Sequence, residues 1–125
     1  MRLLSLPAVL LATCPLLAGA QLDLDVSSTE SIKSTAKDIA KSLVKIYTDY
    51  LHIPGVGVPG LLPFPYYWWE AGGMFGTLLD YWHVTGDDTW NDLVTEALLF
   101  QVDPNEAYMP PNQSKSLGND DQSFW

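Results

Sequence analysis

YYWWEAGGMFGTLLDYW, residues Tyr66 to Trp82, is the stretch on which the fold turns. Its apolar residues recur at the period of an α-helix and not of a strand. Trp69, Gly73, Gly76, Leu79 and Trp82 fall along one side, with Leu78 and Tyr81 beside them. Glycines at 72, 73 and 76 each weaken a solvated helix, so they predict close packing against another backbone. The helix should stop at His83-Val84-Thr85-Gly86-Asp87, where Gly86 suits a left-handed cap. Asp87 or Asp88 can cap a following helix to about Gln101, with Trp90, Leu93, Val94, Ala97 and Leu98 turned inward.

Upstream, Ser27-Ser28-Thr29-Glu30 has the spacing of a capping box and predicts a helix to about Leu51. Ile32, Ala36, Ile39, Leu43, Ile46, Tyr47 and Tyr50 form its expected buried stripe. Lys33, Lys37, Lys41 and Lys45 make a row beside it, read as a solvated face and not a membrane-binding one. Residues 52–65 (HIPGVGVPGLLPFP) hold too many prolines and glycines for a persistent helix or central strand, yet enough apolar residues for an ordered loop. Asp103-Pro104 ends the third helix and opens a second long loop, DPNEAYMPPNQSKSLG. Asn119 or Asp120 should then cap a fourth helix that the chain does not complete. The expected architecture is all-α: helical hairpins joined at one end by the Thr85-Gly86-Asp87 turn and at the other by long loops.

The first twenty residues have the form of a secretory signal. Arg2 precedes the apolar run Leu3 to Leu17, and Ala18-Gly19-Ala20 fits a cleavage site that would leave Gln21 first. Pro7 and Pro15 interrupt the run, which is also short for a membrane span. Residues 1–20 are therefore assigned as signal peptide and 21–125 as the folded portion. Cleavage removes Cys14, the lone cysteine, so stability must come from packing and not from disulfides within the segment. It also removes the lone arginine and makes the formal charge one unit more negative than −9. Such a chain should repel nucleic acid and anionic lipid, and a neutral carbohydrate suits it as a partner. Asn112-Gln113-Ser114 is an N-glycosylation sequon and marks a surface loop.

Gly118-Asn119-Asp120-Asp121-Gln122 holds the residues with the clearest chemistry. Cleaving a glycosidic bond takes two carboxyl groups: one attacks or stabilises the anomeric carbon, and the other protonates the leaving oxygen. Adjacent acids are equally at home on a solvated turn, so the pair draws its weight from its surroundings. The chain carries 5 Trp, 6 Tyr and 4 Phe, clustered between Tyr47 and Trp90 and again at the end. Trp68 and Trp69 could stack on the C–H faces of a pyranose or serve as core of a helix interface. Glu70 reads either as a hydrogen-bond partner for substrate or as an exposed helix charge. His83 reads as structural; no metal-ligand spacing occurs in the chain, and no cofactor is called for.

Tyr67-Trp68-Trp69-Glu70-Ala71-Gly72-Gly73, Thr85-Gly86-Asp87 and Gly118-Asn119-Asp120-Asp121-Gln122, in this order, resemble fungal glycoside hydrolase family 76. These are the mannan endo-1,6-α-mannosidases, including cell-wall proteins tied to defective filamentous growth. The resemblance runs from about Leu22 to Trp125. It implies an (α/α)6 toroid of which this chain supplies only the first part. It implies Asp120 as nucleophile and Asp121 as general acid/base of a retaining mechanism, in which carboxyl groups stand ~5–5.5 Å apart. Trp68, Trp69, Glu70 and Gln122 are the candidate substrate-binding residues beside this pair, and the implied partner is α-1,6-mannan or another mannose-containing glycan. Related proteins often carry a glycosylphosphatidylinositol signal, so membrane attachment is expected only through an anchor in the complete protein. The alternatives are a transglycosidase using the same nucleophile, and a non-catalytic or truncated helical module that binds carbohydrate. A partial toroid is expected to expose aromatic faces and to depend on a partner.

Overall fold

The computed structural model describes residues 24–125. The signal-peptide assignment and the start at Gln21 lie outside the described residues. Three helices follow one another: α1 (Thr29–Leu51), α2 (Trp68–Thr85) and α3 (Asn91–Phe100). A single 3-10 turn, Asp121–Phe124, comes last, and no strand occurs among the described residues.

Helix α1 starts one residue later than the capping-box spacing predicts. Ser28 is the N-cap, and its hydroxyl accepts the Ser31 N–H at 3.2 Å. Ser27 is unavailable because its own N–H and hydroxyl donate to the Asp25 carboxylate. The buried line of α1 also departs from expectation. Ile32, Ile39 and Ile46 are exposed, whereas Ala40 and Tyr47 are buried, with Ala36, Leu43, Val44 and Leu51 packed against the core. Ile39 and Ile46 instead border the open groove between α1 and α2.

In helix α2, Trp69, Gly73, Gly76, Leu79 and Trp82 fall on the more open side, and Trp68, Ala71, Gly72, Met74, Phe75, Leu78 and Tyr81 are the buried residues. Periodicity alone does not say which apolar line is buried. Contact with α3 and the final turn decides. Phe75 meets Tyr47 edge-on at 5.1 Å, and Val94 and Ala97 of α3 close the core. The inward set expected for α3 is the one observed, with Trp90, Leu93 and Leu98 partly buried around Val94 and Ala97.

The glycines divide in the same way. A Cβ on Gly72 would lie 2.6 Å from the Phe124 carbonyl oxygen, so close packing does explain that residue. Gly73 and Gly76 have nothing within 4 Å. Gly73 borders the open groove between α1 and α2, where cavities of about 300 and 250 Å³ are lined by Ile39, Leu43, Ile46, Thr77 and Val84 among others.

Gly86 caps α2 in the left-handed conformation (φ 75°), its N–H donating to the Trp82 carbonyl at 2.8 Å. Neither Asp87 nor Asp88 caps α3 through its side chain; Trp90 is the N-cap and makes no side-chain cap bond. Asp87 is occupied elsewhere. Its Oδ2 accepts Tyr81 Oη–H at 2.7 Å and Lys37 Nζ at 2.8 Å, and its Oδ1 accepts the Thr89 N–H and hydroxyl. The Lys37 ammonium, the Thr89 donors and the Tyr81 hydroxyl hold this carboxyl far below the usual carboxylate range. The turn is thereby tied to both α1 and α2. Lys41 and Lys45 pair only with Asp38 and Asp49 on their own helix, as a solvated face requires.

Candidate active site

The long loops before α2 and after α3 meet at one end of the molecule. Between them lies a cavity of about 420 Å³. Tyr66, Tyr67, Trp68 and Trp69 form one wall, and Gln113, Ser116, Leu117 and Asp121 form the other. Its size is that of a small-ligand pocket, and its mix of aromatic faces with a few polar groups suits a sugar.

Asp120 and Asp121 sit where the second loop enters the 3-10 turn. Asp121 Oδ2 accepts the Gly118 N–H at 2.7 Å, which folds the loop back onto the acid pair. Asp120 is the N-cap residue, but its side chain makes no cap bond; its carbonyl accepts the Ser123 N–H at 2.9 Å and the Ser123 hydroxyl at 2.6 Å. Where a helix capped by Asn119 or Asp120 is expected to begin, the structure has one 3-10 turn without a side-chain cap bond. A four-residue turn has no macrodipole of a full helix to act on these acids.

Gly118 also measures the spacing of the pair. A point where its Cβ would stand is 3.1 Å from Asp120 Oδ1 and 3.5 Å from Asp121 Oδ1. These oxygens can be no farther apart than those two distances laid end to end. Each acid thus brings one carboxylate oxygen to the same side of Gly118.

The turn is held against α2 by its aromatic end. Trp125 stacks on Trp68 at 4.9 Å and on Tyr108 at 5.5 Å, and its indole N–H donates to the Trp68 carbonyl at 3.2 Å. Phe124 lies against Trp69 at 4.8 Å. Trp68 is 8% exposed and Trp69 37%, so the two tryptophans divide the roles open to them: both line the cavity, but Trp68 is also core.

Glu70 is placed elsewhere. Its Oε2 accepts the Tyr67 N–H at 2.7 Å at the start of α2, and it lines the α1–α2 groove rather than the cavity beside Asp121. Gln122 is exposed and its carbonyl accepts the Trp125 N–H at 3.3 Å. Asn112 is exposed on the turn that follows Pro110-Pro111, next to the cavity residue Gln113. Gln113, Ser116 and Leu117 belong to a loop without periodicity, and only their position just before Gly118 could have marked them. His83 is exposed on α2, and no group of three metal-ligating side chains occurs among the described residues. No helix among them is long and apolar enough to cross a membrane.

Comparison with known proteins gives this geometry a context. Residues 31–125 match the model of glycosyl hydrolase family 76. The mannan endo-1,6-alpha-mannosidase DCW1 of Eremothecium gossypii is 42% identical over 109 residues, covering 86% of this chain and 23% of that protein. The DCW1 protein of Saccharomyces cerevisiae is 41% identical over 104 residues, covering 83% of this chain and 22% of its own length. The crystal structure of Dfg5 from Chaetomium thermophilum in complex with glucosamine superposes with a TM-score of 0.72 at 43% identity, over 82% of this chain and 26% of that one. That neighbour is an α/α toroid, so the three helices here correspond to part of such a ring. The chain thus spans about a quarter of the length of the relatives it matches. With an acid pair beside an aromatic cavity, and with sequence and helix arrangement matching over most of its length, the chain belongs to glycosyl hydrolase family 76.

Proposed function

We propose that these residues form part of a glycosidase that cleaves α-1,6-mannosidic linkages within mannan by a retaining, two-carboxylate mechanism. The observation that carries this reading is the juxtaposition of Asp120 and Asp121 around Gly118, with Asp121 lining a cavity walled by Trp68 and Trp69. Asp120 attacks the anomeric carbon while Asp121 gives its proton to the leaving oxygen, forming a glycosyl–enzyme ester. Asp121 then takes a proton from water as that water releases the sugar. Trp69, with its partly open ring, offers an apolar face to a pyranose, and Gln113 and Ser116 offer hydrogen bonds to its hydroxyls. The signal-like first twenty residues support entry into the secretory pathway, and the fungal relatives support action at the cell wall, with any lipid anchor carried by the whole protein.

The test is product analysis of the whole protein with α-1,6-linked mannan oligosaccharides. Internal cleavage that disappears in Asp120→Asn supports the reading; binding without turnover under all conditions refutes it in favour of a carbohydrate-binding module. Transfer to a sugar acceptor is a second reading, favoured by one observation: the Chaetomium relative was captured with glucosamine, an amino sugar and not a mannoside. Transfer shares every step up to the ester, and products formed only when a glycan acceptor is added would distinguish it from hydrolysis.

A further inference from the structure

Gln101 is completely buried, the one polar side chain among the largest fully buried groups of the described residues. It stands at the C-cap of α3, far in sequence from the acids. Its Oε1 accepts the Trp68 indole N–H at 2.9 Å, and its Nε2 donates to the Pro59 carbonyl at 2.6 Å. The loop is built around this amide. A Cβ on Gly60 would lie 2.4 Å from Gln101 Cγ and 2.8 Å from the Ala97 carbonyl, so only glycine lets the chain pass. Gly60 N–H in turn donates to Tyr47 Oη at 3.1 Å. Three segments meet at this side chain, the first loop, α2 and α3, and α1 joins them through Tyr47 and Gly60.

The contact continues toward the acids. Trp68 carries Trp125 on its face and accepts the Trp125 indole N–H at its carbonyl. Trp125 ends the turn that begins at Asp121, whose carboxylate takes the Gly118 N–H. We propose that Gln101 is a positioning residue for the acid pair, acting through Trp68 and Trp125. Glutamine suits the position because it can accept from an indole and donate to a carbonyl at once with a neutral group. Replacing it with an apolar side chain strands the Trp68 N–H and the Pro59 carbonyl, and either can be satisfied only by moving. Displacements of about 1 Å at a reacting group cost on the order of 100-fold in rate.

The experiment compares Gln101→Met, which keeps length and loses both hydrogen bonds, with Val94→Ala, a buried change on α3 outside this chain of contacts. The first readout is NMR on the full chain, following the Gly118 amide and the Trp125 indole N–H. Gln101→Met should shift both and speed their hydrogen exchange at least about tenfold, while Val94→Ala leaves them in place. Unchanged resonances in Gln101→Met, or equal changes in both variants, overturn the proposal. Should Gln101→Met not fold, Trp68→Phe removes the same hydrogen bond from the other side and is read by the Gly118 amide alone: a shifted, faster-exchanging amide supports the proposal and an unchanged one overturns it. The activity readout rests on the glycosidase reading: in the whole protein, Gln101→Met should lower kcat by about 10- to 100-fold with KM within about threefold. A wild-type protein without turnover would sink the glycosidase reading, while the resonances would still decide the role of Gln101.

Discussion

The chain contains two Asp-Asp steps, Asp87-Asp88 and Asp120-Asp121, and the molecule uses them in opposite ways. Asp87 is saturated: a lysine from α1, a tyrosine from α2 and both donors of Thr89 converge on its two oxygens. Such a carboxylate is a fastener, committed to joining a turn to two helices. Asp121 accepts a single backbone N–H and otherwise borders a cavity, and the Asp120 side chain makes no hydrogen bond among the described residues. A carboxylate that must attack carbon or give up a proton has to keep lone pairs free. The difference lies in the neighbours, since the dipeptide is the same.

The largest expected effect separates the pairs by activity. In the whole protein, Asp120→Asn should abolish turnover of mannan oligosaccharides by at least ~1000-fold with its melting temperature almost unchanged. Asp121→Asn should cost ~10²–10⁴-fold on mannan, yet far less on aryl mannosides whose leaving groups need no proton. If both substrates suffered alike, Asp121 would lose its assigned role. Gly72→Ala comes next. Its Cβ would strike the Phe124 carbonyl and Trp125, which should destabilise the chain by about 1–3 kcal/mol in denaturant unfolding and detach the turn that bears the acids.

Asp87→Asn should do the reverse of Asp120→Asn: a lower melting temperature, with turnover per folded molecule within about twofold. Acid should reproduce it. The folded carboxyl of Asp87 titrates below its unfolded counterpart, so its contribution is complete above the unfolded carboxylate range and is lost as pH falls through the folded value. Melting temperature should therefore drop on acidification below about pH 4, less steeply in Asp87→Asn than in the wild type. A parallel slope in the two would show that Asp87 does not fasten the turn. The smallest effect is Gly73→Ala, which meets empty space on the open side of α2 and should be neutral or stabilise the chain by up to about 1 kcal/mol.

Much of the fold was legible in the chain of residues, and the failures have a common cause. Helix limits followed from punctuation that acts locally: Gly86 stops α2, Asp103-Pro104 follows α3, and the proline-rich loop separates α1 from α2. Which side of a helix is buried is a tertiary matter. Helix α2 carries large apolar residues on more than one side, and contact with α3 and the final turn selects the line that is buried. In α1 the expected stripe held at Ala36, Leu43 and Tyr47 and failed at the isoleucines, which stay exposed. The acid pair stood out through its Gly118-Asn119-Asp120-Asp121-Gln122 setting and its Trp-rich and Thr-Gly-Asp companions, since Asp87-Asp88 also follows a turn glycine. Gln101 did not, since a lone glutamine at a helix end carries no signal until its partners, distant in sequence, close around it.

The most direct test of the contrast between the two acid pairs is to trap the intermediate. The whole protein would be incubated with a fluorinated mannosyl inactivator, digested and mapped by mass spectrometry. A single sugar ester on Asp120, absent from Asp120→Asn and unaffected by Asp87→Asn, is the predicted result. A label on another residue, or slow turnover of the reagent with no ester at all, would contradict the assignment of the terminal pair to chemistry.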